Sequence, residues 1–310
     1  MSYNLDSSTD NSKVIHINSV DADTYLSGTT SYFMMFLREH IKCFGNQRLL
    51  VSLHSATIPY SFYNIRDGIN DTIPYKVDGA STTITTLKID AGNYTINSLK
   101  LELEAKINTI LTGGISISYE RKTQKFKYNC VNEEARNFTL HFQDSDSSCH
   151  IEMGFNNNDN FTFTNTPTIC NNVVDVNGSI HGLFIRTNLS STGSIDSKTK
   201  GLSTILGRIP IESNFGSVLF FNPNNSSHKI LIHNTEIHTL TIKLTDEFGR
   251  IVDLNGLNYT IAIQVDYIKL EVYRPIKQKI RYIKNIKLDN SDDNKPYHTK
   301  KQKNKVKFLK

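Results

Sequence analysis

The sequence of 310 residues predicts a mainly β protein: a single jelly-roll β-sandwich with a small inserted α+β subdomain and a basic C-terminal tail. Three observations predict it. First, two late runs, His238–Thr245 and Tyr259–Glu271, alternate apolar and polar residues with period two. Leu240, Ile242 and Leu244 share one face of the first run, and Ile261, Ile263 and Val265 share one face of the second. That is the pattern of half-buried strands. Second, β-like runs recur with turn residues every ~8–12 residues, a spacing that favours an antiparallel sandwich over alternating strands and helices. Third, long connections and one large inserted stretch fit a jelly roll better than an immunoglobulin-type domain.

In chain order, the first dozen residues are polar and Lys13–Asn18 reads as a short strand. Ser31–Glu39 and Arg48–Ser55 are the next candidates. Pro59 within Ile58–Ile65 marks a strand exit or an edge, because proline cannot donate to a sheet ladder. The character changes near Asn70. Thr83–Asp90 is strand-like, and Asn97 to Thr112 carries Leu99, Leu103, Ile107, Ile110 and Leu111 at helical spacing. Thr95 or Asn97 can cap that helix, Gly113-Gly114 ends it, and Glu102 and Lys106 form an i, i+4 pair. Ile115–Glu120, Lys125–Cys130 and Asn137–Phe142 complete a β-α-β-β-β unit with its own small sheet. The strand pattern resumes with Val173–Val176, His181–Leu189, Ser203–Ile211, Ser217–Phe221 and Lys229–His233, while Ser190–Lys200 reads as an exposed loop. The expected organisation is therefore a discontinuous sandwich over 1–69 and 166–271, an insertion with one helix over 70–165, and a tail over 272–310. The sandwich holds nine or ten strands.

Apolar residues make up 38% of the chain and aromatics 10%, with 16 Phe, 14 Tyr and no Trp. Large rings bury much area each, so a core is feasible despite the modest apolar share. The 32 Asn, with abundant Lys, Ile, Tyr and Phe, match A/T-rich codon usage, which blunts any reading of Asn alone. The four cysteines are widely spaced and fit buried free thiols in a reducing compartment. No secretory signal is visible, and no run approaches the ~18 apolar residues of a membrane span. The net charge of +5 hides an asymmetry. Beyond residue 271 stand 13 Lys and Arg against three Asp, whereas the rest has 22 basic against 27 acidic residues. A slightly acidic body thus carries a basic tail, densest at Lys300, Lys301, Lys303, Lys305, Lys307 and Lys310, which suits phosphate backbones or an acidic protein surface.

Motifs for chemistry are missing. There is no P-loop, no G-x-S-x-G elbow, no H-E-x-x-H and no dinucleotide fingerprint. His228, His233 and His238 with Glu236 are the nearest approach to a jelly-roll metal site, but spacings of five turn His233 and His238 to opposite faces of an unbroken strand. Asp21-Ala-Asp23 and Asp144-Ser-Asp146 fit turns better than calcium, which needs six to eight oxygens. Tyr60, Phe62 and Tyr63 could form an exposed aromatic platform of the kind sugar-binding jelly rolls use. Phe33, Phe36, Phe220 and Phe221 sit in strand patterns and are expected in the core. The sequence predicts no enzyme, no metal and no cofactor.

Four segments resemble the penton (minor capsid) proteins of virophages and polinton-like viruses. They are Ile58-Pro59-Tyr60-Ser61-Phe62-Tyr63-Asn64-Ile65; Ile89-Asp90-Ala91-Gly92-Asn93-Tyr94-Thr95 with the Leu99–Leu111 helix; Ile117-Ser118-Tyr119-Glu120, Phe126-Lys127-Tyr128 and Met153-Gly154-Phe155; and Leu240–Thr245 with Asp246-Glu247-Phe248-Gly249-Arg250, then Asp253-Leu254-Asn255-Gly256 and the closing strand. These patterns are degenerate and cover most of residues 13 to 271. The resemblance implies a structural viral capsid protein, with an upright jelly roll and an inserted domain, that assembles as a homopentamer closing the five-fold vertices of an icosahedral shell. Its implied partners are itself and the major capsid protein of the same virus, with the genome or neighbouring shell proteins as targets of the basic tail. Its implied place is the virion, after synthesis in the host cytoplasm. The alternative expectation is a jelly-roll receptor- or glycan-binding attachment module, which predicts trimers and a saturable ligand site.

Overall fold

A computed structural model of the chain describes residues 11–77, 83–111, 113–131, 138–177, 180–223 and 229–269. The basic tail lies outside the described residues, and with it Lys300, Lys301, Lys303, Lys305, Lys307 and Lys310.

The first part of the sandwich comprises β1 (Ser12–Asn18), β2 (Thr24–Tyr25), β3 (Tyr32–Lys42) and β4 (Gln47–Pro59). The intervening stretch holds β5 (Thr72–Val77), β6 (Thr85–Lys88), helix α1 (Ile96–Ile107), β7 (Ile115–Glu120), β8 (Lys125–Cys130), β9 (Phe138–His141), the short helix α2 (His150–Met153), β10 (Asn160–Phe163) and β11 (Thr168–Ile169). The sandwich then closes with β12 (Gly182–Thr187), β13 (Ile205–Pro210), β14 (Val218–Phe221), β15 (Ile230–Leu231), β16 (Glu236–Thr245) and β17 (Thr260–Lys269).

Strand order identifies the architecture. One sheet runs β1-β17-β4-β14, with β15 also on β4, and the other runs β13-β12-β16-β3-β2. Counting the eight principal strands in chain order, the sheets read 1-8-3-6 and 5-4-7-2, all antiparallel. A ribbon of four antiparallel pairs rolled upon itself gives this interleaving, which is the jelly roll.

Period-two alternation decides which residues meet between the sheets. Ile261, Ile263 and Val265 of β17 and Leu240, Ile242 and Leu244 of β16 face one another in a core with Phe33, Leu49, Val51, Ile58 and Leu183. The runs that predicted the fold thus form its centre. The same alternation overturns the expected burial of Phe36 and Phe220. Both lie out of phase with buried neighbours (Phe33 on β3, Leu219 on β14), so they point outward at 56% and 70% exposure. Phe33 is fully buried, and Phe221 is partly buried against the core. Three register shifts adjust the ladders: one at Ile185/Arg186 of β12, one at Ile237/Thr239 of β16 and one at Ala262/Ile263 of β17, where β4 carries His54 as its extra residue. Outer-face residues of β17 are not all solvated. Asp266 is buried there, bound by Ser12 Oγ at 2.6 Å, Gln264 Nε2 at 2.8 Å and Lys229 Nζ at 2.8 Å.

The intervening stretch departs from the single small sheet expected. It has two sheets, β10-β9-β5-β6 and β11-β8-β7. Thr72–Val77 and Asn160–Phe163 were missed because each is a short run with weak alternation. Their rings join a second core that includes Phe126, Tyr128, Phe138, Phe142, Phe155 and Phe163 with Leu99, Leu103 and Ile107 of α1. The helix is shorter than expected. It starts at the predicted cap, where Thr95 and Ser98 form a capping box. It stops at Asn108, whose side chain accepts from Ile115 N at 2.6 Å and so folds the chain back early; Ile110 and Leu111 pack from the following turn. Glu102 and Lys106 pair as expected at 3.5 Å. Val173–Val176 is no strand, although Val174 is buried. Cys130, Cys149 and Cys170 are buried free thiols and Cys43 is half-buried, also free.

Candidate functional site

Three features stand out on this scaffold: its outward faces, a buried joint between the two cores, and a polar groove on one sheet.

The outward faces carry exposed large apolar side chains. On the β14 edge of the first sheet, Val218 and Phe220 point to solvent, with Phe215 exposed just before them. On the second sheet the exposed rings include Tyr25 of β2 and Phe36, which stands opposite Thr239 of β16. Nearby, His40 Nδ1 lies 2.9 Å from Glu236 Oε1, Lys42 lies 3.6 Å from the same carboxylate, and the His40 and His238 rings are 5.5 Å apart. His233 sits in the loop before β16, because that strand begins only at Glu236. His228 lies outside the described residues, and no metal-binding group of His, Cys, Asp and Glu occurs among those described. Asp23 is a turn residue, accepting from Phe36 N at 2.6 Å. The aromatic platform does not form. Phe62 is buried in the sandwich core, Tyr60 stacks on it with centroids 4.5 Å apart, and Phe215 meets Tyr60 edge-on. Beyond the end of β4 the chain is irregular, and it turns Phe62 inward while Tyr60 and Tyr63 stay half-exposed.

The buried joint lies where the chain leaves the sandwich. Asn64, Arg66, Asn70, Asp246 and Glu152 are all buried. Arg66 Nη2 donates to Asp246 Oδ2 at 2.9 Å, and Arg250 Nε donates to the same oxygen at 2.7 Å. The other oxygen, Asp246 Oδ1, accepts from the backbone of Phe248 and Arg250, both at 2.9 Å. Gly249 supplies the positive φ that this tight turn needs. Asn70 bridges the cores: its Oδ1 accepts from Arg66 N, and its Nδ2 donates to Asn64 O and to Glu152 Oε1. Burial depresses Arg66, opposed by its bond to Asp246. Burial also pushes the Glu152 carboxyl up to about 7, opposed by the Asn70 hydrogen bond. Arg66 Nε and Nη1 and Glu152 Oε2 are buried without hydrogen-bond partners among the described residues. The returning chain is held to the same turn, since His181 lies 3.4 Å from Glu247 and 3.2 Å from Asp175. Sequence reading missed this joint. The available signal was the turn Asp246-Glu247-Phe248-Gly249-Arg250, whose partner 180 residues earlier no local pattern reveals.

The groove lies on the outer face of the second sheet. Tyr32, Arg186, Thr241 and Lys243 line it from the strands, Asn188 from just past the end of β12, and Asp196, Lys198 and Thr199 from the loop that follows; its volume is about 470 Å³. That loop is mostly exposed, as the sequence predicts, with Ser191 and Asp196 buried in it. Arg186 Nη1 holds Asp196 at 2.6 Å, and this bond keeps the Asp196 carboxyl below the usual carboxylate range. The Lys198 ammonium bonds the Phe248 carbonyl, and Thr192 N donates to Leu231 O at 2.8 Å.

No family model and no curated protein sequence matches the chain. Among solved structures, it is similar to the mavirus penton protein at 9% identity and a TM-score of 0.46, over 83% of this chain and 100% of that one. It is also similar to a chain of the Sputnik virophage structure at 12% identity and a TM-score of 0.34, over 83% of this chain and 98% of that one. The jelly-roll assignment rests on the strand order of the sheets.

Proposed function

We propose that this chain is a structural viral capsid protein that assembles as a homopentamer and closes the five-fold vertices of an icosahedral shell. The observation that carries this reading is the placement of exposed phenylalanines on two opposite outer faces: Phe36 on one sheet and Phe220 on the other. A closed ring of identical subunits needs two different patches that meet head to tail, and opposite faces of one sandwich can supply them. Large exposed rings are natural anchors for such contacts. The four penton-like sequence segments support the same reading. Its mechanism is physical: the sandwich sets the angle between neighbours, the major capsid protein surrounds the ring, and no residue turns over a substrate. On this reading the basic tail faces the interior and contacts genome or neighbouring shell proteins, and the virion is the protein's place, after synthesis in host cytoplasm. The insertion, 70–165, is proposed as a unit that folds around its own core, set apart from the sandwich.

Light scattering on the purified chain tests this directly. A pentamer of five 35.2 kDa subunits, about 176 kDa, is expected. Phe36→Asp or Phe220→Asp should shift it towards monomer without unfolding. A trimer would favour the attachment-module reading, and a monomer at every concentration and salt would remove the ring as a property of the isolated protein.

A further inference from the structure

We propose that the groove on the outer face of the second sheet binds a small saccharide bearing one anionic group, a carboxylate or a sulfate. The groove is built rather than incidental. Its floor comes from adjacent strands in register, Lys243 standing opposite both Arg186 of β12 and Tyr32 of β3. Its wall is the 190–202 loop, fixed to the sheet by Arg186–Asp196, closed on itself by the Ile195–Leu202 bridge, and tied to the 246–250 turn by Lys198.

The charge balance defines the ligand. Three cations, Arg186, Lys198 and Lys243, line the groove with one carboxylate, Asp196, which Arg186 already engages. Arg186 spends Nη1 on Asp196 and Nε on Thr245 Oγ1, while Nη2 donates to no described residue. Lys243 stands 5.3 Å over the Tyr32 ring and has no ion-pair partner among the described residues. Two positively charged donors are thus free to take one anion, and a free guanidinium nitrogen on a mostly buried side chain is a strong one. The remaining lining is neutral and short: hydroxyls of Thr199, Thr204 and Thr241, beside Asn188, whose amide is engaged by the Thr239 carbonyl and the Thr241 N–H. The Thr204 and Thr241 hydroxyls hydrogen-bond no described residue. Hydroxyls and one aromatic wall in a space of about 470 Å³ suit a ring or two of a saccharide, within the usual range of small-molecule sites. A bare inorganic anion would leave most of that lining unused.

The test is calorimetric titration of the full chain, near physiological salt, with 3′-sialyllactose, lactose sulfate and lactose. One acidic saccharide should bind saturably, one per chain, at least about tenfold more tightly than lactose. The sialylated and sulfated arms tell carboxylate from sulfate. Lys243→Glu should weaken that binding about tenfold or more, whereas Lys122→Glu, the same charge change in an exposed turn of the insertion, should leave it unchanged. Thermal unfolding of both variants checks that each remains folded. The proposal fails if neither acidic saccharide binds saturably, if lactose binds as well, or if the two charge reversals weaken binding equally, which would assign it to overall charge.

Discussion

Two buried carboxylates respond to pH with opposite sign. Glu152 is pushed up to about 7 by burial, so the folded chain holds its proton more tightly than the unfolded chain, where the carboxyl titrates near 4.5. Its contribution to stability is full below about pH 4.5 and falls as pH rises towards 7, by about 1.4 kcal/mol for each pH unit crossed between those two values. Glu152→Gln does not titrate. Its stability relative to the parent should therefore rise between pH 5 and pH 8, by roughly 3 kcal/mol, read from urea midpoints; a difference flat with pH would contradict the assignment. Asp266 goes the other way. Burial opposes its ionisation, but donors from Lys229, Ser12 and Gln264 overcome it and hold the carboxyl below the usual range. Its contribution is present above the unfolded pKa and lost as pH falls through the folded one. Asp266→Asn should therefore destabilise the chain at pH 7, with the gap to the parent closing in acid. At the joint, Asp246→Ala leaves Arg66 buried and unpaired and strips two backbone donors of their acceptor. Such a break costs about 3–5 kcal/mol, whereas replacing both partners with apolar residues of matching volume would cost less.

At the scale of elements, a strand's phase matters more than its composition. Phe33 and Phe36 belong to one strand, as do Leu219 and Phe220, yet one of each pair is core and the other is surface. Phe33→Ala should cost about 3–5 kcal/mol, whereas Phe220→Ser should change the stability of the monomer by no more than about 0.5 kcal/mol while weakening self-association. Chemical denaturation and light scattering separate the two effects. Within the second core, Gly154 has φ of 81° and closes α2 beside Cys170. An added Cβ would stand 2.5 Å from Cys170 Sγ and 2.9 Å from the Asn172 carbonyl. Gly154→Ala therefore meets backbone strain and a clash together and should destabilise the chain by more than the ~1 kcal/mol typical of point changes; an unchanged unfolding midpoint would refute this close approach. The helix cap is milder: losing Thr95 Oγ1, which accepts from Ser98 N at 3.2 Å, costs about 1 kcal/mol.

For the whole molecule, charge segregation is the dominant feature. The part beyond residue 271 carries ten more positive than negative charges, and the rest has five more negative than positive. The full chain should bind duplex DNA without sequence preference, with affinity falling steeply as salt rises, and a chain ending at Lys269 should lose most of that binding. Equal binding by both chains would move the contact to the body. The same truncation should leave the oligomer intact if the rings on the outer faces carry assembly, and the solution mass reads this out.

The period-two strands of the sandwich, the capped helix α1 and the split between an acidic body and a basic tail were all legible along the chain. They are local properties, since alternation, capping chemistry and charge act over a few neighbouring residues. The rest emerged only in three dimensions. The strand phase that turns Phe36 and Phe220 outward depends on partner strands and on which face the opposite sheet covers. The second sheet of the stretch between β4 and β12 depends on rings gathered from segments up to about 90 residues apart. The Arg66–Asp246 joint and the groove around Arg186 depend on side chains that meet only after the chain has rolled up. Their energies come from burial and long-range pairing, and neither exists until the fold has removed those groups from water.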